Sequence, residues 1–131
     1  MAETFKIELV SPDRLLMSEE VEQVIVPGSE GDFAVLYGHA PILSSIRPGI
    51  LRILGGKSGD KEYFVRGGFA EARPDGLTIL AQETRLIREF SADDINKDIK
   101  ETEQVLEGEI DDETRRNFET ALQCLKEIRG N

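Results

Sequence analysis

The sequence predicts an all-β domain followed by two helices, and three observations support this prediction. All five prolines and ten of the twelve glycines precede residue 88, as expected for short strands joined by tight turns. Short apolar segments, some alternating with polar residues, lie between those turns. From residue 88 onward, apolar residues recur at helical spacing. We therefore expect a β domain over residues 1–87 and a helical region over residues 88–131.

The β domain is predicted from segments with strand character. Phe5–Val10 alternates apolar and polar residues and indicates a half-buried strand. Gly55–Asp60 predicts a hairpin turn, and Gly67-Gly68 predicts a bulge or a corner. The predicted strands are 5–10, 21–26, 33–36, 50–54, 62–66, 69–72 and 77–80. Turns this frequent are typical of a β-sandwich or a β-barrel.

The helical region predicts an antiparallel hairpin of two helices. Ser91 can cap the first helix, Gly108 ends it, and Asp111 or Asp112 can cap the second. The first apolar stripe is Ile95, Ile99, Thr102 and Leu106, and the second is Phe118, Ala121, Leu122, Leu125 and Ile128. Each stripe is thin, so the hairpin must lie against a larger surface to be stable.

Composition and charge exclude several classes of function. The 131 residues are 39% hydrophobic and 32% charged, with a net charge of −10. A nucleic-acid backbone or an anionic membrane would repel such a chain. No stretch approaches the roughly 20 apolar residues of a membrane span, so direct lipid insertion is not expected. The first residues lack a basic segment before an apolar run, so we expect no secretory leader.

The single cysteine and the single histidine do not suggest a catalytic or metal site. Cys124 lies on the second apolar stripe, which indicates a buried filler, and it has no disulfide partner. His39 has no nearby His or Cys, so a zinc site lacks its ligands. A hydrolase triad could be assembled from His39 and Asp32 with Ser44 or Ser45. No nucleophile elbow surrounds either serine, so this alternative is weak.

A phosphate-binding loop is not supported either. Gly56-Lys57-Ser58 resembles the end of such a loop, but Leu51 stands where the pattern requires glycine. The segment also joins two strands, with no helix following it. We therefore expect no metal, no cofactor and no catalysis by this chain alone.

One stretch is specific enough to suggest a family. The run Val26–Leu43, VPGSEGDFAVLYGHAPIL, resembles the epsilon subunit of the bacterial F-type ATP synthase. The hallmark of that family is the pattern P-G-x-E-G-[DE]-φ-G-φ-x-x-G-H-A-P-φ-φ, in which φ is an apolar residue. Further matches are Val10–Pro12, Ile46–Gly49, Val65–Glu71 and Leu77–Ala81. These matches fall in order and cover most of residues 5–87.

The resemblance implies a fold and a role. The family has a two-sheet β-sandwich of about ten strands, followed by an antiparallel two-helix hairpin. Such a chain is a non-catalytic rotor subunit in the central stalk. Its sandwich binds the gamma subunit and the ring of c subunits, and couples proton flow to ATP synthesis. The complex would lie peripherally on the cytoplasmic side of the bacterial membrane.

The resemblance also implies contact residues on the sandwich. Glu30, Asp32 and His39 are expected to contact the c-ring, whose polar loops include arginine in this family. The alternatives are a solvated turn for the two acids and a hydrogen-bonded structural role for the histidine. One edge of the gamma contact is assigned to Ala40, Pro41, Ile42 and Leu43.

The role of the hairpin stays open at this point. In many family members it extends and restrains ATP hydrolysis through basic residues that approach beta. The basic residues here are Arg115, Arg116, Lys126 and Arg129. Some members bind ATP through an [IL]-D-x-x-R-A motif, and Ile95–Lys100 departs from it, with Asn96 for the acid and Ile99 for the arginine. The alternatives are an ATP-responsive inhibitor and a hairpin that stays folded on the sandwich.

Overall fold

The computed structural model describes residues 3–130, and within that range it contains eight strands and two helices. A 3₁₀ turn, Ile87–Glu89, joins the two parts. The strands are β1 (Phe5–Ser11), β2 (Arg14–Val21), β3 (Gln23–Gly28), β4 (Gly31–Leu36), β5 (Ile42–Leu54), β6 (Lys61–Arg73), β7 (Gly76–Ala81) and β8 (Thr84–Leu86). The helices are α1 (Ala92–Leu106) and α2 (Asp112–Arg129).

The strands form one hydrogen-bonded path that folds over into two layers. The order is β2-β1-β7-β6-β5-β3-β4, and β8 also pairs with β6. β5 and β6 stay paired from Ile42–Ala72 to Ile53–Lys61, so both pass through the bend. At the bend Gly67 and Gly68 have φ of +102° and +133°, in the region that favours glycine. A side chain at Gly68 would overlap the carbonyl oxygen of Leu80.

The core lies between the two layers. Ile7 and Ile79 from one layer and Val24, Val26 and Ile53 from the other are all fully buried in one cluster. Each belongs to a strand in which inward residues alternate with outward ones, as expected of a sheet with one face in the core. The sequence prediction of a β-sandwich with a helical hairpin is therefore confirmed.

The number of strands differs from the expected ten because two of them are long. β5 and β6 have 13 residues each. β6 pairs with β8 through its first half and with β7 through its second half. Counting the halves of β5 and β6 separately gives ten segments, five in each layer. β2 was missed in the sequence analysis, because its apolar and charged residues do not alternate regularly.

The helix ends follow the predicted capping residues. The Ser91 hydroxyl accepts a hydrogen bond from the Asp94 N–H at 3.1 Å, one turn into α1. Asp111, rather than Asp112, caps α2 and accepts from the Thr114 N–H at 2.7 Å. That hydrogen bond lowers the pKa of the Asp111 carboxyl. α2 ends at Gly130, which has the left-handed conformation common after helices.

The hairpin packs on the outer face of the layer that contains β8. Phe64, 2% exposed, and its cross-strand partner Ile50 form the floor of the contact. The helices cover that floor with buried apolar residues, namely Ile95, Ile99, Ala121, Cys124 and Leu125, and Phe90 stacks on Phe64 with 6.3 Å between ring centroids. This second cluster gives the thin apolar stripes the larger surface that they need.

A polar contact adds to this packing. The Arg66 guanidinium donates to the Thr102 hydroxyl of α1 at 2.6 Å. It also lies 5.7 Å from the ring centroid of Phe64 and 5.8 Å from that of Phe118 in α2. One sandwich side chain therefore contacts both helices, which restricts how the hairpin can slide over the apolar floor.

The hairpin contact also controls the chemistry of Cys124. The thiol faces the sandwich, and burial raises the pKa of Cys124 to about 11. The thiolate is the reactive form of cysteine, so the packed hairpin suppresses its reaction with alkylating reagents. Alkylation of Cys124 thus reports whether the hairpin is in place.

We predict that Phe64→Ala releases the hairpin, because truncating a buried phenylalanine costs about 3–5 kcal/mol. If the pKa of Cys124 returns from about 11 to the ordinary 9.0, the thiolate fraction at pH 8 rises about 100-fold. The alkylation rate of Cys124 should rise accordingly. Phe69→Ala is the matched control, since Phe69 lies on the same strand but is 52% exposed. Equal alkylation rates in the two variants would contradict this account.

Candidate functional site

The two predicted acids lie on a tight turn between β3 and β4, which we call the acidic turn (residues 28–32). Glu30 is exposed at its tip. Gly28 pairs with Gly31, so only two residues form the loop. Gly31 has φ of +132°, and a side chain at Gly28 would lie 2.8 Å from both the Gly31 oxygen and the Phe33 ring. The glycines of the P-G-x-E-G pattern are therefore required by the backbone.

The acidic turn is tied to β5 by three hydrogen bonds. The Ser29 N–H donates to the Ser45 carbonyl at 2.9 Å. The Arg47 guanidinium donates to the Gly28 carbonyl at 2.9 Å and to the Asp32 carboxylate at 2.7 Å. Asp32 is thus already engaged within the chain. Arg47 lies within the Ile46–Gly49 match, but the sequence did not predict its role, because only the pairing of the strands brings it to the turn.

His39 lies away from the acidic turn, beyond the opposite end of β4. Asp32 and Leu36 are already about 13 Å apart along that strand. The His39 ring makes an edge contact with Phe5, with 5.6 Å between centroids, and its Nδ1 is 3.3 Å from the Ala40 carbonyl. Its Nε2 is buried and has no partner among residues 3–130. The structure therefore does not group His39 with the two acids.

A row of apolar side chains crosses the outer face of the other layer, which the hairpin does not cover. We call it the outer row. Its members face each other across neighbouring strands and are Leu15, Val10, Leu80 and Phe69. Leu15 is 54%, Leu80 42% and Phe69 52% exposed. Contiguous apolar surface of this kind marks a site of interaction with another protein.

The segment predicted for gamma contact lies beside the outer row. Ala40 and Pro41 are exposed in the loop before β5. Leu43 is 74% exposed and pairs with Glu71, two residues beyond Phe69 on the same face of β6. Ile42 is 42% exposed. The segment therefore continues the apolar surface at the end of the sandwich opposite the bend, which we call the open end.

The basic residues predicted on the second helix have different surroundings. Arg115 donates to the carbonyls of Leu106 and Gly108, at 3.2 and 3.4 Å, and so closes the end of α1. Arg129 donates to the Asn96 side chain at 3.1 Å. Arg116 and Lys126 are exposed. With the hairpin packed on the sandwich, two of these four side chains stabilise the hairpin itself.

The segment that departs from the ATP motif is also used for packing. Ile95 and Ile99 are 6% and 5% exposed and face the sandwich. Asn96 accepts the hydrogen bond from Arg129 that links the two helices. Over residues 95–99, the side chains that replace the motif residues therefore stabilise the packed hairpin.

Two features are absent from the described residues. Residues 3–130 contain no group of three or more His, Cys, Asp or Glu side chains placed to hold a metal ion. In the same range, no helix has the length and apolar character needed to cross a membrane.

These features define a class of protein, an interaction subunit built from a sandwich and a helical hairpin. Its uncovered sandwich surfaces are an apolar row and an acidic turn. Residues 4–86 match the family described as "ATP synthase, Delta/Epsilon chain, beta-sandwich domain". The chain belongs to this family.

Similar proteins support the assignment over nearly the whole chain. The "ATP synthase epsilon chain" of Chelativorans sp. is 42% identical over 130 residues, covering 99% of this chain and 96% of that protein. The protein of the same description from Parvibaculum lavamentivorans is 40% identical over 129 residues, covering 98% of each.

Two solved structures share the fold. A chain in the Euglena gracilis mitochondrial ATP synthase (OSCP/F1/c-ring) superposes with a TM-score of 0.72 at 23% identity, covering 96% of this chain and 79% of that one. A chain in the Tetrahymena thermophila mitochondrial ATP synthase central stalk/c-ring gives a TM-score of 0.70 at 13% identity, covering 98% of each.

Proposed function

We propose that this chain is the epsilon subunit of a proton-translocating bacterial ATP synthase. It is a non-catalytic part of the rotor that links the gamma subunit to the c-ring. The observation that carries the proposal is that the hairpin covers only one of the two outer faces of the sandwich. The hairpin covers one outer face, whereas the outer row and the acidic turn remain available to partners. The complex would lie on the cytoplasmic side of the bacterial membrane.

The outer row is the proposed contact with gamma. A permanent partner in a rotor needs a surface that excludes water, and apolar side chains supply it. Ala40–Leu43 extends this surface towards the open end of the sandwich, where Ile42 and Leu43 are exposed. His39 lies next to that segment, so its position fits a contact at this end better than a contact beside the acidic turn.

The acidic turn is the proposed contact with the c-ring. Glu30 stands exposed at the tip of a turn whose backbone is held by Arg47 and Ser45. A carboxylate presented on a rigid turn can accept charge-assisted hydrogen bonds from arginine in ring loops. Because torque must pass through this contact, a rigid turn transmits it better than a mobile one.

The alternative role, an ATP-responsive inhibitor of hydrolysis, concerns the hairpin and stays a separate hypothesis. In the packed state Arg115 and Arg129 bond within the hairpin. For them to reach the alpha or beta subunits, these bonds and the packing on Phe64 would have to break. No contact among the described residues favours that state over the packed one.

Phe69→Glu should weaken binding to gamma at least about 30-fold, because it places a charge in the centre of a desolvated contact. Val105→Glu is the matched control. Val105 is 37% exposed but belongs to α1, on the hairpin that covers the opposite face of the sandwich. Binding of the full chain to isolated gamma would be measured by calorimetry. Equal affinities for the two variants would remove the outer row from the gamma contact.

Glu30→Lys should lower ATP-driven proton pumping severalfold in membranes that contain the whole complex, since it replaces attraction to ring arginines with repulsion. Glu101→Lys is its control, because Glu101 is another exposed acid, on α1 of the hairpin and away from both proposed contacts. Hydrolysis would be measured alongside pumping to separate coupling from turnover. Normal pumping with Glu30→Lys would dismiss the ring contact at this position.

The hairpin's role is tested by comparing complexes built with the full chain and with a chain that ends at Ile87. If the hairpin stays packed in the complex, we expect the two hydrolysis rates to agree within twofold. A severalfold higher rate with the shorter chain would instead establish the hairpin as an inhibitor. Adding millimolar ATP to the full chain in a calorimeter tests nucleotide sensing, and we expect no heat of binding.

A further inference from the structure

The acidic turn and the hairpin are far apart in sequence, but Arg47 lies between them. Its side chain bonds the turn at two points, the Gly28 carbonyl and the Asp32 carboxylate. It leaves β5 at the bend, next to Pro48, which is buried. The same bend lies under α2. Arg47 is therefore close to both the acidic turn and α2, and a change in either can alter its position.

Arg47 lines two cavities that lie between α2 and the sandwich. One, of about 260 Å³, is lined by Asp32, Arg47 and Arg52 from the sandwich and by Thr120, Cys124 and Glu127 from α2. The other, of about 590 Å³, is lined by Ser29, Ser45 and Arg47 on one side and by Arg116, Asn117 and Thr120 on the other. Arg47 and Thr120 line both cavities. Both cavities are already partly open to solvent, and if the hairpin left, each would lose the wall that α2 provides.

The loss of that wall would weaken the hold of Arg47 on the turn. The Arg47 and Asp32 side chains are 36% and 52% exposed with α2 present. Ion pairs in water contribute little, whereas partly shielded, geometrically defined pairs contribute more. Because the pair is this exposed, α2 adds little to its strength, and the effect of α2 on Arg47 is steric: Thr120 of α2 lines both cavities beside the arginine and limits where its side chain can lie. The two bonds of an Arg47 side chain confined in this way in turn keep the turn ordered.

We propose that Arg47 is a positioning residue that couples the acidic turn to the packed hairpin. Packing of α2 orders the turn through Arg47, and by linkage an ordered turn favours the packed hairpin. The proposal rests on the proposed function in one respect, since the turn matters to rotation only if it contacts the c-ring. The coupling itself is a property of this chain and can be measured without the ring.

The test is amide exchange at Ser29, whose N–H bonds the Ser45 carbonyl, in the isolated full chain. Arg47→Ala should speed exchange at Ser29 about tenfold, and Phe64→Ala, which releases the hairpin, should also speed it. In the double variant the Phe64 effect should vanish, because the link is already cut. Additive effects of the two substitutions would overturn the coupling, and unchanged exchange in Arg47→Ala would overturn the positioning role.

Matched controls separate positioning from loss of charge or of the fold. Arg73→Ala removes an arginine of β6 that donates to the Glu71 carboxylate at 3.4 Å and lines neither cavity, so it should leave exchange at Ser29 unchanged. Arg47→Lys keeps the charge but cannot bond two acceptors in the same fork, so exchange should fall between wild type and Arg47→Ala. If Phe64→Ala fails to fold, Leu125→Ala releases the hairpin from the helix side.

Proton pumping by the whole complex distinguishes this proposal from the one on which it rests. If Arg47→Ala frees the turn and lowers pumping as Glu30→Lys does, both proposals are supported. If Arg47→Ala frees the turn and pumping is unchanged, the ring contact is wrong and the coupling within the chain stands. If Glu30→Lys lowers pumping but Arg47→Ala leaves the turn ordered, the ring contact stands and the coupling is wrong.

Discussion

The structure depends on the bend that takes β5 and β6 from one layer of the sandwich to the other. Gly67 and Gly68 adopt backbone angles that disfavour side chains, so β6 can turn without leaving β5. This bend encloses one buried core between the layers and leaves two outer faces, which differ in what covers them. One receives the hairpin, and the other keeps its apolar row uncovered.

The bend also concentrates the long polar side chains that connect distant parts of the chain. Arg47 leaves β5 there and bonds the acidic turn. Arg66 leaves β6 there and contacts both helices of the hairpin. Both arginines lie at the bend between the two layers. From there their N–H donors reach acceptors on elements that a flat sheet would keep apart. The proposed contacts with gamma and the c-ring would be held in fixed relation by such a corner.

Much of the fold could be predicted from local patterns. The cap at Ser91, the choice between Asp111 and Asp112 for the second cap, and the two helical stripes follow from spacing, because helix ends and faces are set by residues a few positions apart. The corner at Gly67-Gly68 was one of two alternatives that the glycine pair allowed. β2 was not predicted, since its sequence lacks clear alternation, although it forms a hairpin with β1 in which Ser11 pairs with Arg14.

The sequence by itself determined the fold class, the hairpin and the family, because these rest on short-range periodicity, turn chemistry and one specific run of residues. Only the tertiary structure decided which surface residues act together. It separated His39 from Glu30 and Asp32, aligned Leu15, Val10, Leu80 and Phe69 into one row, and brought Arg47 to the acidic turn. These relations depend on strand lengths and strand pairings. The row, for example, needs β1 beside β7, which is distant along the chain, and no local pattern records which strands will be neighbours.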